Sequence, residues 1–178
     1  MGTSGSGKTS LARELSRRLG APHVEFDAYR HGPNWYETPD DLFRRRLADA
    51  LKGDRWVADG NYSITRDVVW PRATLLVWLD YPICVPLWRL VRRTFRRGLT
   101  REELWNGNRE NILTHLFTKE SLFLWALKPH WRRRRTLPIA FQQPEHAHAE
   151  VVHLRSPRAT RQWLESAGQW PPSRCVVV

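Results

Sequence analysis

Short apolar runs alternate with helical patterns along most of the chain. Leu11, Leu15 and Leu19 recur at four-residue spacing, which predicts an amphipathic helix over Lys8–Leu19. Four apolar runs predict strands at His23–Asp27, Arg55–Asp59, Thr74–Asp80 and Glu150–Leu154. Strands that alternate with helices are typical of βαβ units. The pattern therefore predicts a three-layer α/β fold on a mainly parallel sheet.

Further helices are predicted between and after these strands. They cover about 38–52, 83–98 and 100–128, the last with a break at Asn106–Asn108, and a final helix begins at Ser156-Pro157 and ends at Gly168. Residues 169–178 carry prolines and are expected to form a loosely held tail. No internal repeat or long linker divides the chain. Residues 1–168 are therefore predicted to form one domain, with an arginine-rich lid or helical region at about 89–135.

The composition indicates a globular protein with anionic partners. The chain has 178 residues, of which 41% are hydrophobic, as in a single folded domain. Its 29 Lys and Arg against 18 Asp and Glu give a net charge of +11. Such a charge favours nucleotides, nucleic acid or phosphorylated metabolites, although codon bias toward arginine is an alternative explanation.

The sequence also predicts the cellular setting. Two cysteines cannot build a disulfide framework, which favours a reducing compartment. No run approaches the roughly 18 consecutive apolar residues of a transmembrane helix, and no secretory leader is recognisable. A cytoplasmic protein without a membrane partner is therefore expected.

The segment Gly2–Thr9 fits the pattern G-x-x-x-x-G-K-[ST] in full. Glycines let the backbone turn its N–H groups toward phosphates, and the following helix directs the positive end of its dipole to the same point. Lys8 is predicted to reach the β- and γ-phosphates of ATP, and the Thr9 hydroxyl to bind Mg²⁺. The predicted ATP-binding residues are Gly2, Thr3, Ser4, Gly5, Ser6, Gly7, Lys8, Thr9 and Ser10.

A loop of this kind normally follows a buried strand, but only Met1 precedes Gly2. Without that strand, its neighbours in the sheet would keep unpaired backbone groups inside the core. We therefore expect in-frame sequence upstream to encode about five or six apolar residues, the length of an ordinary strand. The alternative is a fold that lacks its first strand.

Three predicted strands end in aspartate, namely Asp27, Asp59 and Asp80. Open parallel sheets bind ligands at the carboxyl ends of their strands. Asp27 is predicted to hold Mg²⁺ through water or to accept the proton of an acceptor hydroxyl. Asp59 precedes the turn Gly60–Ser63, where Asp59 and Asn61 are expected to contact the second substrate. Asp80 is a candidate metal-binding aspartate. Each aspartate alone could equally cap a turn.

The helix predicted after the third strand carries four arginines on one face, Arg89, Arg92, Arg93 and Arg96. Phosphoryl transfer spreads negative charge over equatorial oxygens, which guanidinium groups stabilise. Three of the four, Arg89, Arg93 and Arg96, are candidates to close over the transferring group, and a solvated basic face is the alternative. A second run, Arg132–Arg135, lacks a helical period and is expected at the surface or against nucleic acid.

Five segments occur together in the order Gly2–Thr9, Phe26-Asp27, Asp59–Ser63, Leu79–Pro82 and Trp105–Glu110. The set resembles the adenylate-kinase-like P-loop NTPases of the DNA-topology modulation (FlaR-type) family over most of the chain. The resemblance implies a nucleoside-monophosphate-kinase-like fold with strand order 2-3-1-4-5, ATP and Mg²⁺. Adenylate kinases carry G-F-P-R where this chain has Gly60–Ser63, so Arg66 is only a candidate substitute for their acceptor-binding arginine. The spacing of Arg89 and Arg93 resembles that of their lid-edge arginines.

The sequence thus predicts a Mg²⁺–ATP-dependent kinase whose small acceptor is not specified. The predicted catalytic residues are Lys8, Asp27, Arg89, Arg93 and Arg96. The predicted acceptor site comprises Asp27, Asp59, Asn61 and Arg66, and the predicted metal site comprises Thr9, Asp27 and Asp80. One alternative is a nucleotide-dependent, nucleic-acid-binding regulator with little kinase activity. Another is an inactive fragment without its first strand.

Overall fold

The computed structural model describes residues 1–100, 105–108, 122–166 and 174–178. Its strands are β1 (His23–Glu25), β2 (Trp56–Asp59), β3 (Leu75–Leu79), β4 (Glu150–Leu154) and β5 (Cys175–Val177). They form one sheet in the order β1-β2-β5-β3-β4, in which every strand pair is parallel. The α/β class and the parallel sheet predicted from the sequence are confirmed.

Helices connect the strands of the sheet. They are α1 (Lys8–Leu19), α2 (Phe26–Arg30), α3 (Asp40–Ala50), α4 (Arg66–Val69), α5 (Cys84–Thr100), α6 (Leu122–Phe141) and α7 (Pro157–Ser166). The first has the predicted bounds and is followed by Gly20, whose φ of 58° is the left-handed conformation common after helices. Among the described residues, no helix combines the length and the apolar character needed to cross a membrane.

The two faces of the sheet pack against different helices. Successive residues of a strand point to opposite faces. Val176 of β5 belongs to a buried cluster with Leu15 of α1. The next residue, Val177, belongs to another cluster with Phe43 of α3 and Leu137 of α6. Helices therefore cover both faces, and the fold has three layers.

The first strand is shorter than predicted. The sequence predicts that it continues to Asp27, but β1 ends at Glu25 and α2 begins at Phe26. The Phe26 side chain is buried and fills the space where a Cβ atom at Gly60 would lie. Asp27 consequently lies in the first turn of a helix, where its negative charge favours the helix dipole.

The helix α6 also differs from the prediction. The sequence predicts a helical stretch that ends near Lys128, but α6 continues to Phe141 and includes Arg132–Arg135. Leu137 and Ala140 anchor this part of the helix in the core. Four consecutive arginines show no apolar period, which is why the pattern did not indicate a helix. The rest of the predicted stretch, at 101–104 and 109–121, lies outside the described residues.

Residues 174–178 correct a third expectation. The sequence predicts a loose tail over 169–178, but residues 175–177 form β5, the middle strand of the sheet. Val176 and Val177 are at most 1% exposed, and the Val178 amide donates to the Ala58 carbonyl over 2.9 Å. Residues 167–173 lie outside the described part. The sequence predicts no strand for the centre of the sheet, and the structure places β5 there.

The strand β5 lines up with the beginning of the glycine-containing loop at residues 2–9. In the β5–β3 pair, Val176 lies opposite Leu75 and Val177 opposite Leu76. Gly2 forms a parallel bridge with Leu79. If β5 continued in the same register, a residue two places beyond Val178 would lie opposite Leu79. Gly2 occupies that place in the sheet. The Leu79 amide donates to the Met1 carbonyl over 2.7 Å. The loop at residues 2–9 therefore begins where the central strand, β5, would continue beyond its carboxyl end.

Candidate phosphate-binding site

The loop at residues 2–9 has the backbone form that an anion cradle needs. Gly5 and Gly7 have φ values of 82° and 99°, in the left-handed region that glycine tolerates best. A Cβ atom at Gly5 would collide with the Pro86 carbonyl oxygen, so the loop packs directly on the segment that opens α5. Gly7 immediately precedes α1, whose first N–H groups have no partner within the helix. The loop thus presents backbone donors and a helix dipole at one point.

Lys8 lies across this loop. Its Nζ atom donates to the Gly2 carbonyl over 3.1 Å and to the Thr3 carbonyl over 3.3 Å. Burial and the nearby positive charge of Arg133 lower the pKa of Lys8 to about 8, while the negative charge of Asp27 partly offsets them. A buried ammonium with a depressed pKa is stabilised by a bound anion, because the anion replaces the lost hydration.

Thr9 and Asp59 meet beside the loop. The Thr9 hydroxyl donates to Asp59 Oδ2 over 2.5 Å, and His23 Nε2 lies 3.0 Å from Asp59 Oδ1. Asp59 is 3% exposed and lies at the carboxyl end of β2. The sequence assigns Thr9 to the metal and Asp59 to the acceptor, whereas the structure brings the two side chains together.

The Thr9–Asp59 pair has the donor set that Mg²⁺ prefers. A hydroxyl and a carboxylate supply hard oxygen ligands, and Mg²⁺ in nucleotide sites completes its shell with phosphate and water. Within the described part of the chain, no three His, Cys, Asp or Glu side chains come together as a metal site of their own. The residues present therefore fit a nucleotide-linked Mg²⁺ ion rather than a protein-caged metal.

Asp27 is paired with Tyr62 on the acceptor side that the sequence predicts. The Tyr62 phenol donates to Asp27 Oδ1 over 2.6 Å. Burial, followed by the charge of Asp27, raises the pKa of Tyr62, so the phenol stays protonated and keeps the carboxylate oriented. Asn61 is half-buried in the turn directly before Tyr62. Because Asp27 also acts electrostatically on Lys8, the predicted base lies near the loop.

Asp80 has different partners from the other two aspartates. Its Oδ1 accepts from Arg134 Nε over 2.6 Å, and its Oδ2 lies 3.0 Å from His153 Nε2. The His153 ring stacks on Trp78 with centroids 4.0 Å apart. Burial would raise the pKa of Asp80, but the hydrogen bonds from Arg134 and His153 outweigh it and lower the pKa. Both carboxylate oxygens are therefore engaged at the end of β3, Oδ1 in an ion pair with Arg134 and Oδ2 in a contact with His153.

The arginines of α5 divide between two surroundings. Arg89 Nη1 donates to the Ser6 carbonyl over 2.9 Å, which places this side chain directly against the loop. Arg93 is half-buried and acts electrostatically on Lys8. Arg96 is exposed. The single arginine face predicted from the sequence is therefore split: Arg89 contacts the loop at residues 2–9, and Arg93 acts on Lys8 in that loop.

The sequence-based prediction missed the contribution of α6. His130 Nδ1 lies 2.9 Å from Thr3 Oγ1, and this contact is buried. Burial and then the charge of Arg134 lower the pKa of His130, which favours a neutral ring. Arg133 is half-buried near Lys8, although the sequence places the whole run at the surface. The spacing of His130, Arg134 and Leu137, which share one helical face, was the available signal.

Comparison with known proteins adds nothing to this picture. No family model, no curated protein and no solved structure matches the chain. The family resemblance therefore depends on the motif residues, and the properties of the site depend on its own geometry.

Proposed function

We propose that the protein binds Mg²⁺–ATP at residues 2–9 and transfers the γ-phosphoryl group to a small acceptor, as the resemblance to adenylate-kinase-like P-loop proteins implies. One observation carries the proposal. Three features lie together at the carboxyl end of the sheet, in line with β5: the glycine-containing loop, Lys8 and the Thr9–Asp59 pair. This is the place where open parallel sheets bind nucleotides.

The strand order supports the same proposal. The resemblance implies the order 2-3-1-4-5, in which the first strand leads into the phosphate loop. If β5 takes the role of that first strand, the observed order β1-β2-β5-β3-β4 becomes 2-3-1-4-5. We therefore propose that β5 replaces the strand that the sequence led us to expect upstream.

The residues of the site have complementary roles in this proposal. The loop amides and the α1 dipole bind the phosphates, and Lys8 exchanges its two carbonyl partners for the β- and γ-phosphate oxygens. Thr9 and Asp59 would hold Mg²⁺, which neutralises charge that develops on the phosphates. Arg89 and Arg93 stabilise the transferring group from the side of α5.

Asp27 and Tyr62 act on the acceptor side. The acceptor oxygen forms a bond to the γ-phosphorus while the bond from that phosphorus to the bridging oxygen breaks, and ADP leaves with the electron pair. Where the acceptor is a hydroxyl, its proton passes to Asp27, whose position is fixed by the 2.6 Å hydrogen bond from Tyr62. Positioning and electrostatics carry this chemistry, so it needs no covalent nucleophile.

Removal of the Lys8 ammonium tests the proposal. We expect Lys8→Ala to weaken binding of Mg²⁺ and a non-hydrolysable ATP analogue about 100-fold, because charge-assisted hydrogen bonds are lost. Lys52→Ala is the control, since Lys52 is an exposed lysine paired with Asp49. Titration calorimetry measures both variants and the wild type. Absence of binding by the wild type, or equal binding by Lys8→Ala, contradicts the proposal.

Exposed aromatic residues on α5 favour a second candidate, a nucleotide-dependent nucleic-acid-binding regulator. Trp88 and Phe95 are 68% and 57% exposed, and the exposed Arg92 lies between them on the helix. Aromatic rings beside guanidinium groups are suited to bases and phosphates. For this candidate we expect DNA affinity that falls steeply with salt, changes with ATP and decreases in Trp88→Ala. Fluorescence anisotropy measures all three, and an affinity that is indifferent to nucleotide argues against it.

A further inference from the structure

Thr3 lies where the loop at residues 2–9 turns back on itself. The Ser6 amide donates to the Thr3 carbonyl over 3.0 Å, which closes a turn over residues 3–6. The Thr3 carbonyl also accepts from Lys8 Nζ over 3.3 Å, and the Gly2 carbonyl accepts from the same Nζ over 3.1 Å. The position of Thr3 therefore sets the turn and, with it, the place of the Lys8 ammonium.

The side chain of Thr3 contacts the helix α6. Its Oγ1 atom lies 2.9 Å from His130 Nδ1, although the two residues are 127 positions apart in the chain. Thr3 is 5% exposed and His130 is 3% exposed, so water competes little for either group. A buried contact of this kind is costly to break, because the polar group that remains has lost its partner.

The helix α6 holds His130 in place. One turn after His130, Arg134 Nε donates to Asp80 Oδ1 over 2.6 Å at the end of β3. Leu137 follows on the same face of the helix and is fully buried in the core. Side chains on well-packed helices are more precise supports than side chains on loops. His130 therefore supports the loop from an element that is anchored in both the sheet and the core.

The contact joins two neutral polar groups. Burial and then the positive charge of Arg134 lower the pKa of His130, which favours the neutral ring. A neutral imidazole has one N–H donor and one acceptor nitrogen, and a threonine hydroxyl both donates and accepts. The hydroxyl of Thr3 therefore matches Nδ1 in either tautomer. An uncharged side chain with a polar atom at the place of Nδ1 should preserve the contact.

We propose that His130 is a positioning residue for the proposed reaction: through its contact with Thr3, it holds the loop at residues 2–9 in the form that binds the phosphates. The inference rests on the proposed function, because it concerns the same loop. A site that is ordered before its ligand arrives binds more tightly, since binding then does not have to order it. Without the contact, the turn at residues 3–6 and the carbonyl partners of Lys8 lose a support.

The first test measures the order of the loop in the full chain without ligand. Hydrogen exchange followed by mass spectrometry reports the protection of the amides at residues 2–9. We expect exchange there to be about tenfold faster in His130→Ala than in the wild type, because local opening becomes easier. Leu137→Val is the control for a merely structural effect. It shortens a buried side chain on the same helix, so it should lower the melting temperature and leave exchange at residues 2–9 unchanged.

The second test measures binding of Mg²⁺ and a non-hydrolysable ATP analogue by calorimetry. We expect His130→Ala and Thr3→Val each to weaken binding about tenfold. The double variant should bind no more weakly than either single variant, because both substitutions remove the same contact. His148→Ala is the matched control, since His148 is an exposed histidine, and it should bind the analogue like the wild type.

Rescue by the conservative variant separates positioning from packing. The amide of His130→Asn lies as many bonds from the backbone as Nδ1, so this variant should bind the analogue like the wild type. The amide of His130→Gln lies one bond further out and should not restore binding. Thr3→Ser keeps the hydroxyl and should also bind like the wild type, and Thr3→Val gives the decisive reading if His130→Ala does not fold.

The outcomes distinguish this inference from the proposed function. If the wild type binds no ATP analogue, the proposed function fails and this inference fails with it. If the wild type binds the analogue and Thr3→Val or a folded His130→Ala binds it equally well, only this inference is overturned. Additive losses in the double variant, or loosening of the loop by Leu137→Val to the same extent as by His130→Ala, also overturn it.

Discussion

Val177→Asp is expected to abolish the folded state or to lower the free energy of unfolding by about 4 kcal/mol or more, since it buries an unpaired carboxylate. Val177 is 1% exposed and lies between Ala58 of β2 and Leu76 of β3. The whole stability of a domain is only about 5–15 kcal/mol. Because the loop at residues 2–9 begins in line with the end of β5, any protein that remains folded should also lose the proposed Mg²⁺–ATP binding. Denaturant unfolding followed by circular dichroism and calorimetry with an ATP analogue measure the two effects.

Val151→Asp is the matched control for this substitution. Val151 belongs to β4 at the edge of the same sheet and is 38% exposed, so its carboxylate would remain hydrated. We expect a loss of about 1 kcal/mol or less, as for other surface changes. A milder variant, Val177→Ala, should lose about 1–3 kcal/mol through the cavity that it creates. Equal stability of Val177→Asp and Val151→Asp would show that β5 is not a central strand.

The strand β5 also shows where prediction from the sequence fails. The strands β1–β4 and the helix α1 were predictable, because each lies in a local apolar pattern of sufficient length. Cys175–Val177 is too short to show a period, and it pairs with Trp56–Ala58, more than a hundred residues away in the chain. Central parallel strands are apolar on both faces, so nothing in such a run distinguishes it from a hydrophobic tail.

The candidate site shows the same division between local and distant information. The loop and Lys8 were predictable, since the motif places all of its chemistry within eight consecutive residues. Arg133 and His130 were not, because their role depends on how α6 packs against the loop. The sequence also could not rank Asp59 and Asp80, which lie at the carboxyl ends of the two strands on either side of β5. Only their side-chain partners distinguish them.

Asp59→Asn is expected to remove the advantage that Mg²⁺ gives to ATP binding and to lower turnover about 1000-fold, because a positioned metal-binding oxygen is among the largest electrostatic contributions to phosphoryl transfer. An amide keeps the shape of the side chain and can still accept from Thr9, so the fold should persist. However, a neutral amide oxygen binds Mg²⁺ less strongly than a carboxylate. Calorimetry of ATP binding with Mg²⁺ and with EDTA, together with melting temperatures, measures the change.

Asp80→Asn provides the contrast, because the two aspartates differ in what they bind. Asp80 accepts from Arg134 and contacts His153, so an amide at this position leaves the Arg134 cation without a negatively charged partner at the end of β3. We expect a loss of stability of about 1–3 kcal/mol with an unchanged dependence of ATP binding on Mg²⁺. The opposite pattern, in which Asp80→Asn abolishes the Mg²⁺ effect and Asp59→Asn does not, would move the metal to β3. Since the two aspartates lie at the ends of the strands on either side of β5, the difference between the variants shows which of these two strand ends holds the metal.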